Sequence, residues 1–302
     1  LLVLMALTAY TLQRKLVGNK EVTSITGKTA LNKGAQLGHW RWPALVLYSL
    51  VAFVVVIMPM SSMLLSALLS TLSGGIRLEN VTLRHFSALF AQHGDALDAL
   101  STSLGLAFAA ALITGVIGFL AAWLVVVRKI RGAVFIDGLS LLPAVLPGVV
   151  VGVGLILLWN QPFWPVTPYN SWPILLLSYC CLLLPWPVRY VGSALKQLGG
   201  NLEPAARVHG ASQFQALRYI VLPLVFPSLL AAMLMVFAIG SRELVTSLLL
   251  APAGMQTVSV FIWRQFEQGS VGQGMAMATI AITTGLVLML SALALMQRGE
   301  RS

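Results

Sequence analysis

Six apolar runs of 17 to 27 residues constrain this chain more than anything else in it: Ala44 to Leu69, Ser101 to Val127, Val134 to Trp159, Trp172 to Tyr190, Leu224 to Gly240 and Met275 to Met296. A hydrocarbon core about 30 Å thick is crossed by about 20 apolar residues in a helix. Barrel strands are about half that length and alternate with period two, which these runs do not. Charged residues make up 9% of the chain and hydrophobic ones 58%, whereas a soluble domain carries about 25% charge. A soluble enzyme, a disordered chain and a nucleic-acid-binding domain are excluded, and the fold class is an all-α membrane bundle of six spans. A shorter apolar stretch, Leu1 to Leu12, runs directly into Arg14 and Lys15 without a basic leader or a small-residue cleavage site. It reads as the end of a preceding transmembrane helix, so the chain is expected to be the C-terminal part of a longer polypeptide. Residues 13–41 then form a basic linker and 42–302 the six-span domain.

Charge sorts the loops. Fifteen of the nineteen Lys and Arg residues fall in four regions: Gln13 to Arg41, the turn holding Arg128, Lys129 and Arg131, the segment with Arg189, Lys196, Arg207 and Arg218, and the tail with Arg298 and Arg301. The other side keeps Arg77, Arg84, Arg242 and Arg264, with five of the nine acids. The basic regions alternate with the others, as an even walk through six spans requires. The positive-inside tendency places them, the N-terminal linker and the C-terminus in the cytoplasm. The net charge of +10 is therefore a topology signal, and no nucleic-acid partner is expected.

Prolines interrupt several runs. The string Pro143-Ala144-Val145-Leu146-Pro147-Gly148 allows two readings: a bend that neighbouring helices tolerate, or a broken helix lining a pathway. Gly105, Gly115, Gly118, Gly148, Gly152 and Gly154 suit close helix packing. Arg242 and Glu243 follow the fifth run, and they stand either as an interfacial charge pair or, if the stretch to Leu250 re-enters the membrane, as part of the conduit. No GxxxxGK[ST] loop occurs, so ATP hydrolysis is not expected on this chain. His39, His85, His93 and His209 are scattered, no metal site is expected, and His85, His93, Asp95 and Asp98 read as a solvated outer loop that iron could touch in passing. Cys180 and Cys181 are adjacent and staple nothing.

One inside segment differs from an ordinary connector. Leu195 to Pro223 reads LKQLGGNLEPAARVHGASQFQALRYIVLP. Asn201 and Pro204 suit a helix start, Gly210 a helix end, and Ser212 a second cap, after which Phe214, Leu217 and Ile220 or Val221 recur at helical spacing. A helix, a glycine turn and a second helix suit docking into a partner's groove.

The string Ala205-Ala206, three residues, Gly210, nine residues, Ile220, one residue, Leu222-Pro223 resembles the EAA loop of permease subunits of bacterial ATP-binding-cassette importers, and the chain from about His39 onward resembles their six-span (type I) domain. The resemblance implies coupling helices, built here from Glu203, Pro204, Ala205, Ala206, Arg207, Gly210, Ala211, Ser212, Ile220, Leu222 and Pro223, that sit in a cytoplasmic ATPase dimer. Pro204 stands where the family's motif has glutamate, with Glu203 one residue earlier. The basic segment with Thr26-Gly27-Lys28 resembles the linker of fused permeases. Ser241-Arg242-Glu243-Leu244, Leu248-Leu249-Leu250 and Thr257-Val258-Ser259-Val260 look most like the family's iron branch. These likenesses imply a periplasmic or lipoprotein binding protein, a second permease half in the same polypeptide, a place in the bacterial inner membrane, and ferric iron as cargo, with thiamine, aminoethylphosphonate, polyamine or an oxyanion as alternatives. The candidate pathway groups are Pro143, Pro147, Gly148, Arg242 and Glu243. No cofactor is implied. An ion-coupled secondary transporter is the competing class, but it calls for buried acids or ion-coordinating helix ends, and Asp137 is the one acid near the start of a span.

Overall fold

A computed structural model describes residues 38–91, 95–198 and 202–299, without the side chains of 202, 203 and 295–299. Residues 1–12 and most of the linker, together with His93 and Asn201, lie outside the described residues. The described chain is helical throughout apart from its connections, with an isolated antiparallel bridge between Leu69 and Val81. Lipid offers the backbone no hydrogen bonds, so apolar segments close their own ladders as helices.

Five helices are long and apolar enough to cross a membrane: α1 (Gly38–Leu68), α3 (Asp95–Val126), α6 (Trp172–Leu198), α8 (Gln213–Gly240) and the apolar part of α11 (Val271–Gly299). Shorter helices are α2 (Arg84–Ala91), α4 (Ala133–Ala144), α5 (Gly148–Trp159), α7 (Leu202–Val208), α9 (Val245–Leu250) and α10 (Val258–Glu267). The chain divides into two compact units, one holding residues 97–260 and 285 onward, the other ending at Ala96 and resuming over Phe261–Thr284.

The larger unit is built on α3, α6 and α8. One cluster joins Leu106, Ala110 and Ala111 of α3 to Ile174, Leu175, Tyr179 and Leu183 of α6, Val236 of α8 and Leu250 of α9. A second joins Phe119 and Ala122 to Val191 and Leu195 and to Val221, Val225 and Leu229. Small residues let the helices approach. A Cβ on Gly118 would stand 2.5 Å from Cβ of Pro187, and one on Gly152 would stand 2.9 Å from Leu249 Cδ1. Gly105 and Gly154, expected to pack in the same way, have nothing within 4 Å.

In the smaller unit, the segment after α1 is held by Asn80, whose Nδ2 donates to the carbonyls of Thr71 and Gly75 at 2.8 Å. His85 Nε2 lies 3.0 Å from the Leu69 carbonyl, which makes that nitrogen the protonated donor and removes it as a metal ligand. His85 thus fastens the start of α2 to the end of α1 and does not belong to a solvated loop.

Prolines shape the helices in two ways. In α1 and α8 a wide turn, Phe53–Ile57 and Leu217–Val221, ends two residues before Pro59 and Pro223. The Met58 and Leu222 amides then reach the carbonyls five residues back, of Phe53 and Leu217. The inserted residue moves the carbonyl that the proline ring would strike, so both helices continue. The third run behaves otherwise. In place of a continuous span from Val134 to Trp159, α4 and α5 meet at 110°. Pro147 has ψ of 141° and disfavours helix at Leu146 before it, so the chain turns before Gly148 starts α5. The helix is thus broken at this string, not merely bent. Each piece is 12 residues, about 18 Å long and too short to cross alone.

Candidate functional site

The motif segment from Leu195 to Pro223 folds as a helical hairpin. The fourth span continues to Leu198 instead of ending near Tyr190, and the fifth helix begins at Gln213 instead of Leu224. The loop expected over 195–223 is therefore mostly helix continuous with its spans, and the distinct part is α7 and the turn after it. Gly210 has φ of +86°, a left-handed conformation that costs glycine little. It lets the Gly210 amide donate to Arg207 O at 3.0 Å and the Ala211 amide to Ala206 O at 3.1 Å, a paired closure of the α7 carbonyls. Ser212 then opens α8 with reciprocal bonds: Gln215 N donates to Ser212 Oγ at 3.2 Å and Ser212 N to Gln215 Oε1 at 2.8 Å.

Burial divides the motif residues by task. Ala206 and Ala216 are buried, so the hairpin closes on small side chains. Pro204, Ala205, Arg207 and Gly210 are exposed. Pro204 sits in the first turn of α7, where its missing amide removes no helical bond. Val208 is 86% exposed and Phe214 66%, so the hairpin holds out apolar side chains flanked by Arg207 and His209. Ile220 and Leu222 are half-buried where α8 widens, and Pro223 is exposed.

The candidate pathway groups come from two distant stretches, and part of them meet. A Cβ on Gly148 would lie 3.6 Å from Val245 and 3.9 Å from Glu243 Oε1, so the start of α5 abuts the start of α9. The Glu243 carboxylate accepts from Thr246 N at 3.2 Å and lies 3.4 Å from Thr246 Oγ1. It caps α9, while Arg242 is exposed. Glu243 is thus a capping carboxylate beside an exposed arginine. Ser247 Oγ donates to Glu243 O at 2.9 Å, which uses its one proton, so Tyr179 OH must be the donor in its 2.8 Å bond to Ser247. Tyr179, Thr246 and Ser247 are fully buried, and the Tyr179–Ser247 bond ties α9 to α6. None of the three was singled out in the sequence; the available signal was a pair of adjacent hydroxyls inside the apolar run from Leu244 to Leu250. Pro143 lies at the bend and does not reach this cluster by any contact described. Among the described residues no group of three His, Cys, Asp or Glu side chains could hold a metal ion.

The described residues thus form an apolar helical bundle with a proline-broken span and a capped hairpin between two long helices. Residues 114–302 match the family described as "Binding-protein-dependent transport system inner membrane component", and the chain belongs to that family, the permeases of ATP-binding-cassette importers. It is 28% identical over 245 residues to a putative 2-aminoethylphosphonate transport system permease protein, PhnV, of Salmonella typhimurium, covering 81% of this chain and 91% of that protein. It is 27% identical over 222 residues to the spermidine/putrescine permease PotC of Escherichia coli K12, covering 72% and 80%. It is also 27% identical over 212 residues to the ferric transport permease FbpB of Actinobacillus pleuropneumoniae, covering 70% of this chain and 31% of that protein. A crystal structure of a bacterial importer of the acidic polysaccharide alginate shares the fold, with a TM-score of 0.66 and 18% identity over 86% of this chain and 96% of that one.

Proposed function

We propose that the chain forms one six-span half of a solute path driven by a cytoplasmic ATPase dimer, and that the hairpin from Leu202 to Gln215 is where ATPase motion enters. The observation that carries this reading is the construction of the hairpin: a rigid, doubly capped turn holding out Val208 and Phe214. A lever must be stiff and must offer apolar anchors, because a few such residues dominate interface energetics. The family supplies the other parts, a binding protein that delivers cargo and a second permease half. Val208→Glu and Phe214→Glu are each expected to weaken ATPase capture at least about tenfold with the melting temperature of the permease unchanged. Undiminished capture and uptake in both variants would refute the reading.

The charge pattern and the broken span together support one topology. Were α4 and α5 to enter and leave on one side, the basic turn of Arg128 to Arg131 and the basic segment of Arg189 to Arg218 would face opposite compartments. The positive-inside tendency therefore favours counting the pair as one crossing, with the linker, hairpin and C-terminus cytoplasmic. Ferric iron is the cargo implied by the likeness to the iron branch, supported by the match to FbpB. A second reading, 2-aminoethylphosphonate, is favoured by the match to PhnV over nearly its full length. Uptake of radioiron or of labelled 2-aminoethylphosphonate, with the binding protein encoded beside this chain, separates the two.

A further inference from the structure

The second half of α6 changes character. From Trp172 to Val188 it is uncharged, but Arg189, Ser193 and Gln197 follow at steps of four on one face, all exposed. Across from them, Ser228 of α8 completes an open groove of about 370 Å³, which Tyr190 also lines. Every polar side chain lining it is a hydrogen-bond donor, and no carboxylate is present.

Two observations bear on what this groove can hold. Three buried hydroxyls of the larger unit satisfy their own helix: Thr114, Ser140 and Ser178 donate to Ala110, Ile136 and Leu175 at 2.7 Å. Ser193 and Ser228 make no such bond among the described residues, and Arg189 has no ion pair there. Arg189 is the eighteenth residue of a span that begins at Trp172, about 25 Å along it at 1.5 Å per residue. A hydrocarbon core is about 30 Å thick, so this guanidinium stands near its edge. An arginine at that depth reaches the headgroup region, and a planar fork of donors flanked by two hydroxyls and an amide suits tetrahedral oxyanions.

We infer that the groove between α6 and α8 is an oxyanion site that takes a phosphate-type group on Arg189, with Ser193, Gln197 and Ser228 as its remaining donors. That group can come from an anionic phospholipid headgroup or from a free anion in solution. The inference does not depend on the coupling role of the hairpin, and its test requires no ATPase.

The full chain is placed in nanodiscs and followed in two arms. In the first, phosphatidylglycerol is titrated into phosphatidylcholine and retained lipid is counted by native mass spectrometry. In the second, inorganic phosphate is titrated in phosphatidylcholine alone and its phosphorus resonance is followed. Arg189→Gln is expected to lose at least tenfold in affinity in one arm or both. The milder Ser193→Ala/Ser228→Ala pair is expected to lose about threefold in that same arm, and Arg131→Gln, a control of equal charge, to lose nothing. Loss in the lipid arm alone assigns the site to a headgroup, and loss in the phosphate arm assigns it to a soluble anion. Unaltered binding of Arg189→Gln in both arms, an equal loss in Arg131→Gln, or a serine pair that matches wild type would overturn the site. The serine pair decides the matter should Arg189→Gln fail to fold.

Discussion

Three glycines on α3 give one substitution three different outcomes. At Gly118 a new Cβ would meet Cβ of Pro187 at 2.5 Å, the Val188 nitrogen at 3.1 Å and the Pro187 carbonyl carbon at 3.2 Å. None of these atoms can swing away, because two are backbone and the third belongs to a fully buried proline ring. Gly118→Ala therefore pushes α3 from α6, and overpacking of this kind costs about 1–3 kcal/mol. Alanine recovers about 0.5–1 kcal/mol of helix propensity, which leaves a net loss of up to about 2.5 kcal/mol. At about 2–4 °C per kcal/mol for a domain of this size, the melting temperature in detergent falls by up to about 10 °C. At Gly105 nothing lies within 4 Å, so Gly105→Ala keeps the propensity gain and raises the midpoint by about 1–4 °C. Gly115 lies between them: its neighbours at 2.8 and 2.9 Å are Cγ and Sδ of Met233, a side chain that repacks readily, so Gly115→Ala is close to neutral. Thermal unfolding followed by a thiol-reactive dye reads all three, with Cys180 and Cys181 as half-buried reporters. Equal shifts at Gly118 and Gly105 would show that backbone approach at α3 does not govern the bundle.

Ser247→Ala leaves the buried Tyr179 hydroxyl without an acceptor and is expected to cost about 1–3 kcal/mol, against about 1 kcal/mol for Tyr179→Phe, which leaves the Ser247 bond to Glu243 intact. A double-mutant cycle on melting temperature checks that order, and a larger loss in Tyr179→Phe would reverse the assigned donor. Gly210→Val forces a branched residue into a left-handed conformation with open space around it. It should leave the midpoint of the bundle within about 2 °C, since the strain of about 1–3 kcal/mol falls on the hairpin, while ATP-driven uptake drops. Unchanged uptake would count against the hairpin as a lever.

The hairpin shows how much of a site a sequence can carry. Gly210 and Ser212 name their own roles, because a left-handed turn and a helix cap are decided by one or two residues and their immediate backbone. The Ser212–Gln215 reciprocal cap was equally local and readable from the spacing. The Glu243 cluster was not legible in this way. Its partners, Tyr179 and Ser247, are 68 residues apart, and nothing near either hydroxyl in sequence names the other. His85 misled for a related reason: a polar ring in a charged outer stretch looks solvated until the Leu69 carbonyl is brought to it. Prolines fall between. Each one signals an interruption, yet Pro59, Pro223 and Pro227 lie in continuous helices while the helix breaks between Pro143 and Pro147, so the spacing of prolines does not by itself decide the outcome.

The sequence by itself determined that this chain lives in a membrane, how many apolar segments it has and how charge divides its loops, and it carried the resemblance to a transport family. These follow from solvation and charge, which act on each segment independently of its neighbours. Tertiary structure decided where helices touch, that α4 and α5 part at 110°, and that Arg189, Ser193, Gln197 and Ser228 line one groove. Those are outcomes of packing between surfaces distant in the chain, where a difference of one Cβ or one hydroxyl selects among arrangements that the apolar pattern alone leaves equivalent.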